Sequence, residues 1–158
     1  MIIICDSSPI IALSIVNNLH LLDHLFREVI VPRSVFNELT VKGKPEADKI
    51  IVWAQDKLSE ATDKRLVQTF SLLLDIGESE AMSLYWEKKA DFLLIDEKKG
   101  RRIATYNRIK IVGTLGILLL SKEKGLIPSI KPLLDNLQCS YIRISDDLYQ
   151  KALMLAKE

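Results

Sequence analysis

The sequence is poor in cysteine and histidine, with two of each among 158 residues. Cys5 lies in an apolar stretch where a free thiol packs as a small hydrophobic group, so a reduced protein without a disulfide framework is favoured over one built on a Cys5–Cys139 bridge. His20 and His24 are spaced four apart, but no glutamate follows His20 and no third soft ligand is evident. The histidine pair is therefore interpreted as a helix-surface coincidence rather than a zinc site.

Several other features that assign proteins to classes are missing. No Gly-x-Gly-x-x-Gly or Walker sequence supports nucleotide binding through a phosphate loop. The longest later apolar stretch, 111–120, is too short to span a bilayer and contains Gly113 and Gly116. The start lacks a basic region and is interrupted by Asp6, which disfavours a signal peptide. The formal net charge is +1, so any polyanion site must be a local patch. We expect a soluble cytoplasmic protein with no membrane partner.

Strand-like and helical segments alternate along the chain. This order predicts parallel βαβ units, and 158 residues correspond to one domain by length. No repeat, low-complexity tract or linker divides the sequence. The expected structure is a single domain, residues 1–158, of the α/β class, folded as a three-layer α/β/α sandwich with a central parallel sheet. A short final strand at 141–144 and a helical pattern that continues to Leu58 are part of this prediction.

Two apolar stretches end in an acid. Residues 1–5 form a continuous apolar run without alternation, which is typical of a strand buried on both faces, and Asp6 follows directly. Residues 92–95 repeat this design and are followed by Asp96. Parallel neighbours would bring both acids to the same sheet edge, where ligands collect. The alternative for Asp6 is that it caps the next helix.

A group of carboxylates in one crevice has chemical consequences. The charges repel each other, so such a group persists only with a cation or with raised pKa values. Hard oxygen ligands favour Mg²⁺ or Mn²⁺, whereas Zn²⁺ would be expected to recruit histidine or cysteine. Metal ions can activate water and neutralise charge at phosphorus without a side-chain nucleophile, so the natural substrate is a phosphodiester.

Two glutamates are candidates to complete the acidic set. Glu38 lies on the helix that Pro32 opens, and its alternative is a solvated helix residue. Glu78 has the spacing of a capping box with Asp75. Glu80 lies roughly 200° around the helix from Glu78, so the two cannot both face one site in a regular helix.

The order of these acids resembles that of the PIN-domain nucleases. The residues that carry the resemblance are Asp6 after an apolar strand, Glu38 after Pro32, the run Gly77-Glu78-Ser79-Glu80-Ala81, and the run Leu93-Leu94-Ile95-Asp96-Glu97. The chain is most similar to prokaryotic VapC-like toxins and to a subgroup that opens with Asp-Ser-Ser-Pro. The match covers nearly the whole chain. It implies Asp6, Glu38, Glu78 and Asp96 as catalytic, metal-binding residues, with Glu80 and Glu97 as further metal-ligand candidates.

This resemblance implies a metal-dependent endoribonuclease that uses Mg²⁺ or Mn²⁺ and leaves a 5′ phosphate and a 3′ hydroxyl. It further implies the toxin of a type II toxin–antitoxin pair, blocked by a small antitoxin and commonly a homodimer. One alternative is a non-catalytic PIN-like module that binds RNA or protein. Another is a metal-dependent phosphatase, but such enzymes often need a second acid two residues after the nucleophilic aspartate, and Ser8 stands there.

A basic run follows the last acid of the set. Lys98, Lys99, Arg101 and Arg102 are either the solvated face of a helix or a set of contacts to RNA backbone phosphates. Ser7, Ser8 and Thr114 are candidates to orient carboxylates or water.

Overall fold

The computed structural model describes residues 1–158 and contains five strands and ten helices. The strands are β1 (Ile2–Cys5), β2 (Glu28–Pro32), β3 (Leu58–Ser59), β4 (Phe92–Leu94) and β5 (Ile111–Val112). The helices are α1 (Ser7–Ile15), α2 (His20–Leu25), α3 (Arg33–Leu39), α4 (Ala47–Ala54), α5 (Lys64–Ser71), α6 (Ile76–Glu87), α7 (Lys98–Tyr106), α8 (Thr114–Glu123), α9 (Lys131–Cys139) and α10 (Asp146–Ala156). None of these helices has the length and apolar character needed to cross a membrane.

The strands form one parallel sheet in the order β3-β2-β1-β4-β5. The first strand lies at the centre, paired with β2 on one side and β4 on the other. Its side chains alternate between the two faces, because Ile3 and Cys5 belong to one buried cluster and Ile4 to another. Helices cover both faces. The predicted α/β class and three-layer arrangement are therefore confirmed, as is the strand buried on both sides.

Local chemistry accounts for several helix boundaries. Asn17, with a positive φ of 55°, separates α1 from α2. Gly125 has a φ of 71° after α8, and the Leu126 amide donates to the Ser121 carbonyl at 2.8 Å. The Ser145 hydroxyl accepts a hydrogen bond from the Leu148 amide at 3.3 Å and caps α10.

Two sequence predictions are wrong in detail. Leu58 does not continue a helix; it pairs with Val31 as the edge strand β3. Residues 141–144 form no strand. The alternation of Ile142 and Ile144 has a different cause, since both pack against a small buried cluster that includes Leu137. This segment contacts its apolar neighbours through its side chains and does not add a sixth strand to the sheet.

Candidate acidic active site

Asp6 lies at the carboxyl end of the central strand. Its amide donates to the Leu94 carbonyl at 3.0 Å, which ties it to the neighbouring strand. The residue is only 2% exposed, and its Oδ1 atom is buried without a hydrogen-bond partner. Although it directly precedes α1, its side chain makes no capping hydrogen bond. The Oδ1 atom is thus held in the protein interior without the donor that normally satisfies a buried carboxylate oxygen.

The surroundings of Asp6 disfavour its ionised form. Burial is the main cause that raises its pKa, to about 7, and the negative charges of Glu78, Asp75 and Glu38 add to this effect. A hydrogen bond from the Ser7 backbone acts in the opposite direction. Two of the predicted acids, Glu38 and Glu78, therefore lie close enough to Asp6 to act on its charge.

Glu78 combines a structural contact with a position beside Asp6. Its amide donates to Asp75 Oδ1 at 2.8 Å, and the Asp75 amide donates to Glu78 Oε2 at 3.3 Å, so the capping box is formed. The other oxygen, Oε1, faces Gly100, where a β-carbon would lie 2.6 Å away. Burial, followed by the charge of Asp75, raises the pKa of Glu78. Capping and a role in the acidic group are therefore compatible.

Glu38 reaches this group from the exposed side of α3. A β-carbon on Gly77 would lie 3.6 Å from Glu38 Oε2 and 3.4 Å from Asp75 Oδ1. Both carboxylates therefore lie over the first turn of α6. The sequence indicated Asp75 only as a helix cap, because its spacing from Glu78 explains it fully. Its charge also acts on Asp6, and the spacing alone does not show that proximity.

Asp96 lies at the same sheet edge but is held separately. It is exposed, and its two oxygens accept hydrogen bonds from the amide of Thr114 at 2.9 Å and from the Thr114 hydroxyl at 2.5 Å. A β-carbon on Gly113 would lie 2.6 Å from Asp96 Oδ1. Asp96 is not among the acids whose charge raises the pKa of Asp6. The start of α8 thus orients this carboxylate, as the position of Thr114 suggested.

Of the two further candidates, Glu80 has its carboxylate engaged elsewhere, whereas Glu97 caps a helix and its charge also helps to raise the pKa of Glu78. The buried Glu80 carboxylate accepts hydrogen bonds from the amide and hydroxyl of Ser34 and, at 3.0 Å, from the Ala61 amide. Glu97 caps α7 by accepting from the Gly100 amide at 2.8 Å. Glu80 therefore joins α6 to α3 and to the segment before α5, while Glu97 fixes the start of the basic helix.

The donor atoms of the acidic group fit a hard divalent cation, although no coordination shell is closed. No three histidine, cysteine, aspartate or glutamate side chains are arranged to hold a metal ion together. The acids around Asp6 nevertheless offer only oxygen, and Asp6 Oδ1 is a buried acceptor without a donor. An oxygen-only set with an unsatisfied carboxylate suits Mg²⁺ or Mn²⁺.

The four basic residues next to Asp96 differ in their contacts. The Arg101 Nη1 atom donates to the Ile95 carbonyl at 2.8 Å and so supports the end of β4. Lys98, Lys99 and Arg102 are exposed. These three cations give the acidic edge a positively charged neighbour that a polyanion can contact.

The fold and this edge define a class of protein: a parallel α/β/α sandwich whose central strands are followed by carboxylates at one edge of the sheet. The chain belongs to the PIN domain family, because the family model DUF3368, described as a PIN domain, matches residues 2–158. PIN domains are generally nucleases, which are hydrolases. The comparison with curated proteins gave no match, and neither did the comparison with solved structures.

The raised pKa of Asp6 predicts a pH dependence of stability in the absence of metal. The pKa of an aspartate in an unfolded chain is about 3.9, whereas burial raises the pKa of folded Asp6 to about 7. Between these two pKa values Asp6 keeps its proton in the folded state and loses it in the unfolded state. The stability that this proton contributes is therefore fully present below the lower pKa and is lost as the pH rises through the upper one. We expect the free energy of unfolding of wild type, minus that of Asp6→Asn, to fall by up to about 1.4 kcal/mol per pH unit in this window.

Urea unfolding in a chelator at pH 4 to 8 measures this difference. Asp48→Asn is the matched control, since Asp48 is an exposed acid on α4. Wild type and Asp48→Asn should show parallel pH profiles. A profile for Asp6→Asn that also runs parallel to wild type would contradict the raised pKa.

The contacts of Glu80 predict a structural role. Glu80→Ala leaves the half-buried donors of Ser34 and the buried amide of Ala61 without an acceptor, and we expect a loss of about 3 kcal/mol in the free energy of unfolding. The control is Glu60→Ala, which removes an exposed ion pair with Lys64 and should cost less than about 1 kcal/mol. Equal stabilities of the two variants in chemical denaturation would refute this role.

Proposed function

We propose that this PIN domain is a metal-dependent endoribonuclease that hydrolyses RNA phosphodiester bonds with Mg²⁺ or Mn²⁺. Asp6, Glu38, Glu78 and Asp96 are its metal-binding and catalytic acids. The observation that carries the proposal is the buried, unpartnered Oδ1 of Asp6, whose charged form is further disfavoured by the carboxylates of Glu78, Asp75 and Glu38. Without a cation this arrangement opposes ionisation, and a divalent ion reverses that effect.

In this proposal, the residues at this edge have separate roles in metal binding and in phosphate binding. A bound divalent cation would supply charge neutralisation at phosphorus and acidify water. Asp6, at the end of the central strand, and Glu78, in the first turn of α6, would hold this cation together with the exposed Glu38 of α3. Asp96, which follows β4 and is oriented by Thr114, would complete the set of acids. The exposed cations Lys98, Lys99 and Arg102 hold backbone phosphates and so position the scissile bond.

The biological role that we propose is the toxin of a type II toxin–antitoxin pair acting in the cytoplasm. This rests on the resemblance of the opening Asp-Ser-Ser-Pro and of the Gly77-Glu78-Ser79-Glu80-Ala81 run to a subgroup of VapC-like toxins. In that role a small antitoxin covers the acidic crevice, and the toxin forms a homodimer.

One observation favours a second candidate, a non-catalytic module that binds RNA or a protein. The structure closes no three-carboxylate group suited to a metal, and Glu78 is partly committed to its capping box. A module of this kind would keep the fold and the basic surface while lacking hydrolysis. Cleavage assays separate the two candidates.

The nuclease proposal predicts metal-dependent RNA cleavage that both strand-end aspartates support. Purified protein with Mg²⁺ or Mn²⁺ should cut a mixed RNA pool, and Asp6→Asn and Asp96→Asn should each lower the rate by at least about 100-fold, because each removes a charged ligand of the metal. Gel analysis of end-labelled RNA measures the rate and identifies the terminal groups.

Asp48→Asn is again the control and should cleave RNA like wild type. If Asp6→Asn and Asp96→Asn cut as fast as wild type, the activity has another source and the proposed site is wrong. RNA binding without any cleavage in the presence of both metals would favour the binding module.

The contact between Gly100 and Glu78 predicts a weaker metal site in Gly100→Ala. The added β-carbon would lie 2.6 Å from Glu78 Oε1 and 2.5 Å from Ile95 Cδ1, so the carboxylate must move. We expect the Mn²⁺ dissociation constant from calorimetry to rise by about 10- to 100-fold, as for other disturbed ligand supports. Gly116→Ala is the control, because its β-carbon would meet only Val112 Cγ2. An unchanged constant in Gly100→Ala would remove Glu78 from the metal site.

A further inference from the structure

A cavity of about 190 Å³ opens beside Asp96, between α1, α8, α9 and the segment that leads into α10. Most of its wall is apolar and includes Ala12, Leu115, Leu137 and Ile142. Its volume is below the roughly 300–1,000 Å³ of pockets that hold drug-sized ligands. The cavity therefore suits one small ring system rather than a whole cofactor.

Polar and charged residues also line this mostly apolar cavity. Asp96 and Ser8 line it on the side of the acidic edge, and Arg143 lines it on the side of the C-terminal segment. The guanidinium of Arg143 is exposed and makes no hydrogen bond or ion pair, with Asp96 or any other residue. The Ser8 hydroxyl also makes no hydrogen bond. The cavity thus presents an acceptor, a hydroxyl and a free cation around an apolar interior.

We propose that this cavity binds one unstacked nucleobase of a single-stranded RNA, next to the phosphate that the acidic site would cleave. A base has apolar faces for the wall and polar edges for Asp96 and Ser8, while its backbone phosphate pairs with Arg143. An acidic small molecule would be repelled by Asp96, and an aliphatic chain would leave the polar groups unused. This inference rests on the proposed nuclease function and assigns a substrate subsite to it.

The path of the chain explains why Arg143 stands at the cavity. Ile142 and Ile144 both line it and pack towards the cluster that contains Ala12 and Leu137. Arg143 alternates with them and remains exposed. The irregular segment that replaces the predicted last strand therefore anchors two apolar side chains inside the cavity wall and leaves a cation at its rim.

Fluorescent RNA tests the subsite without any need for cleavage. Short single-stranded RNAs carry one 2-aminopurine at successive positions, and binding is measured with Mg²⁺ in an Asp6→Asn background, so that bound RNA is not cut by the proposed site. One position should show a rise in emission when its base leaves the stack and enters the cavity. Leu148, half exposed at the rim, allows the cavity to be closed by Leu148→Trp with little risk to folding.

Two variants have different expected effects. Leu148→Trp should remove the emission change and weaken binding by about tenfold, because the base loses its apolar contacts with the cavity wall, without altering the salt dependence. Arg143→Ala should lower the slope of log K against log salt by about 0.7, the value for one phosphate contact on a single strand. The controls are Met154→Trp, exposed on the same helix, and Arg65→Ala, exposed on α5. Thermal unfolding verifies that every variant folds.

Each outcome decides between the proposals. Effects in both cavity variants and in neither control support the subsite, even if wild type cuts no RNA and the nuclease proposal fails. Wild-type cleavage with RNA binding unchanged in Leu148→Trp and Arg143→Ala overturns the subsite and leaves the nuclease proposal intact. If those variants change only the dimer dissociation constant in sedimentation, the cavity binds a second copy of the chain and the RNA assignment is wrong. No RNA binding by wild type also overturns it.

Discussion

The burial of one carboxylate at the end of the central strand constrains the rest of the site. Asp6 follows three fully buried residues of β1 and is tied by its amide to β4, so it cannot turn towards solvent without breaking the sheet edge. A buried charge without donors is costly, and the nearby acids increase that cost. The fold can retain such a residue only if the carboxylate keeps its proton or if a cation compensates it. The chemistry of the site follows from that choice.

The neighbouring elements then serve two purposes each. The capping box at the start of α6 stabilises that helix, and it also fixes Glu78 beside Asp6. The start of α8 holds Asp96 through Thr114 in the same manner. Gly100 and Gly113 lie against these two carboxylates, where a β-carbon would approach an oxygen to 2.6 Å in each case. Helix starts therefore orient the acids, and glycines leave the space that the acids occupy.

The sequence predicted those parts of the structure that depend on local pattern. An unbroken apolar run ending in an acid is enough to place Asp6 and Asp96 at one sheet edge, because parallel strands share the direction of their carboxyl ends. The difference between Glu78 and Glu80 needed helix geometry and then the contacts of Ser34 and Ala61, which lie far away in sequence. The proximity of Asp75 to Asp6 was not predicted, because the spacing of Asp75 from Glu78 already explained it as a helix cap.

The failed strand at 141–144 shows how pattern and environment differ. Alternation predicts a half-buried strand, but a strand also requires an edge whose backbone groups are free to pair. Here the alternating isoleucines pack against buried side chains at α1 and α9, and the segment pairs with neither edge strand, β3 or β5. Apolar burial without backbone pairing leaves this segment irregular, and an irregular segment can carry a cation such as Arg143 to a place that regular structure would not reach. The side of the acidic edge that lies beyond Asp96 is therefore shaped by the C-terminal part of the chain, while the positions of Asp6, Glu38 and Glu78 are set by its first hundred residues.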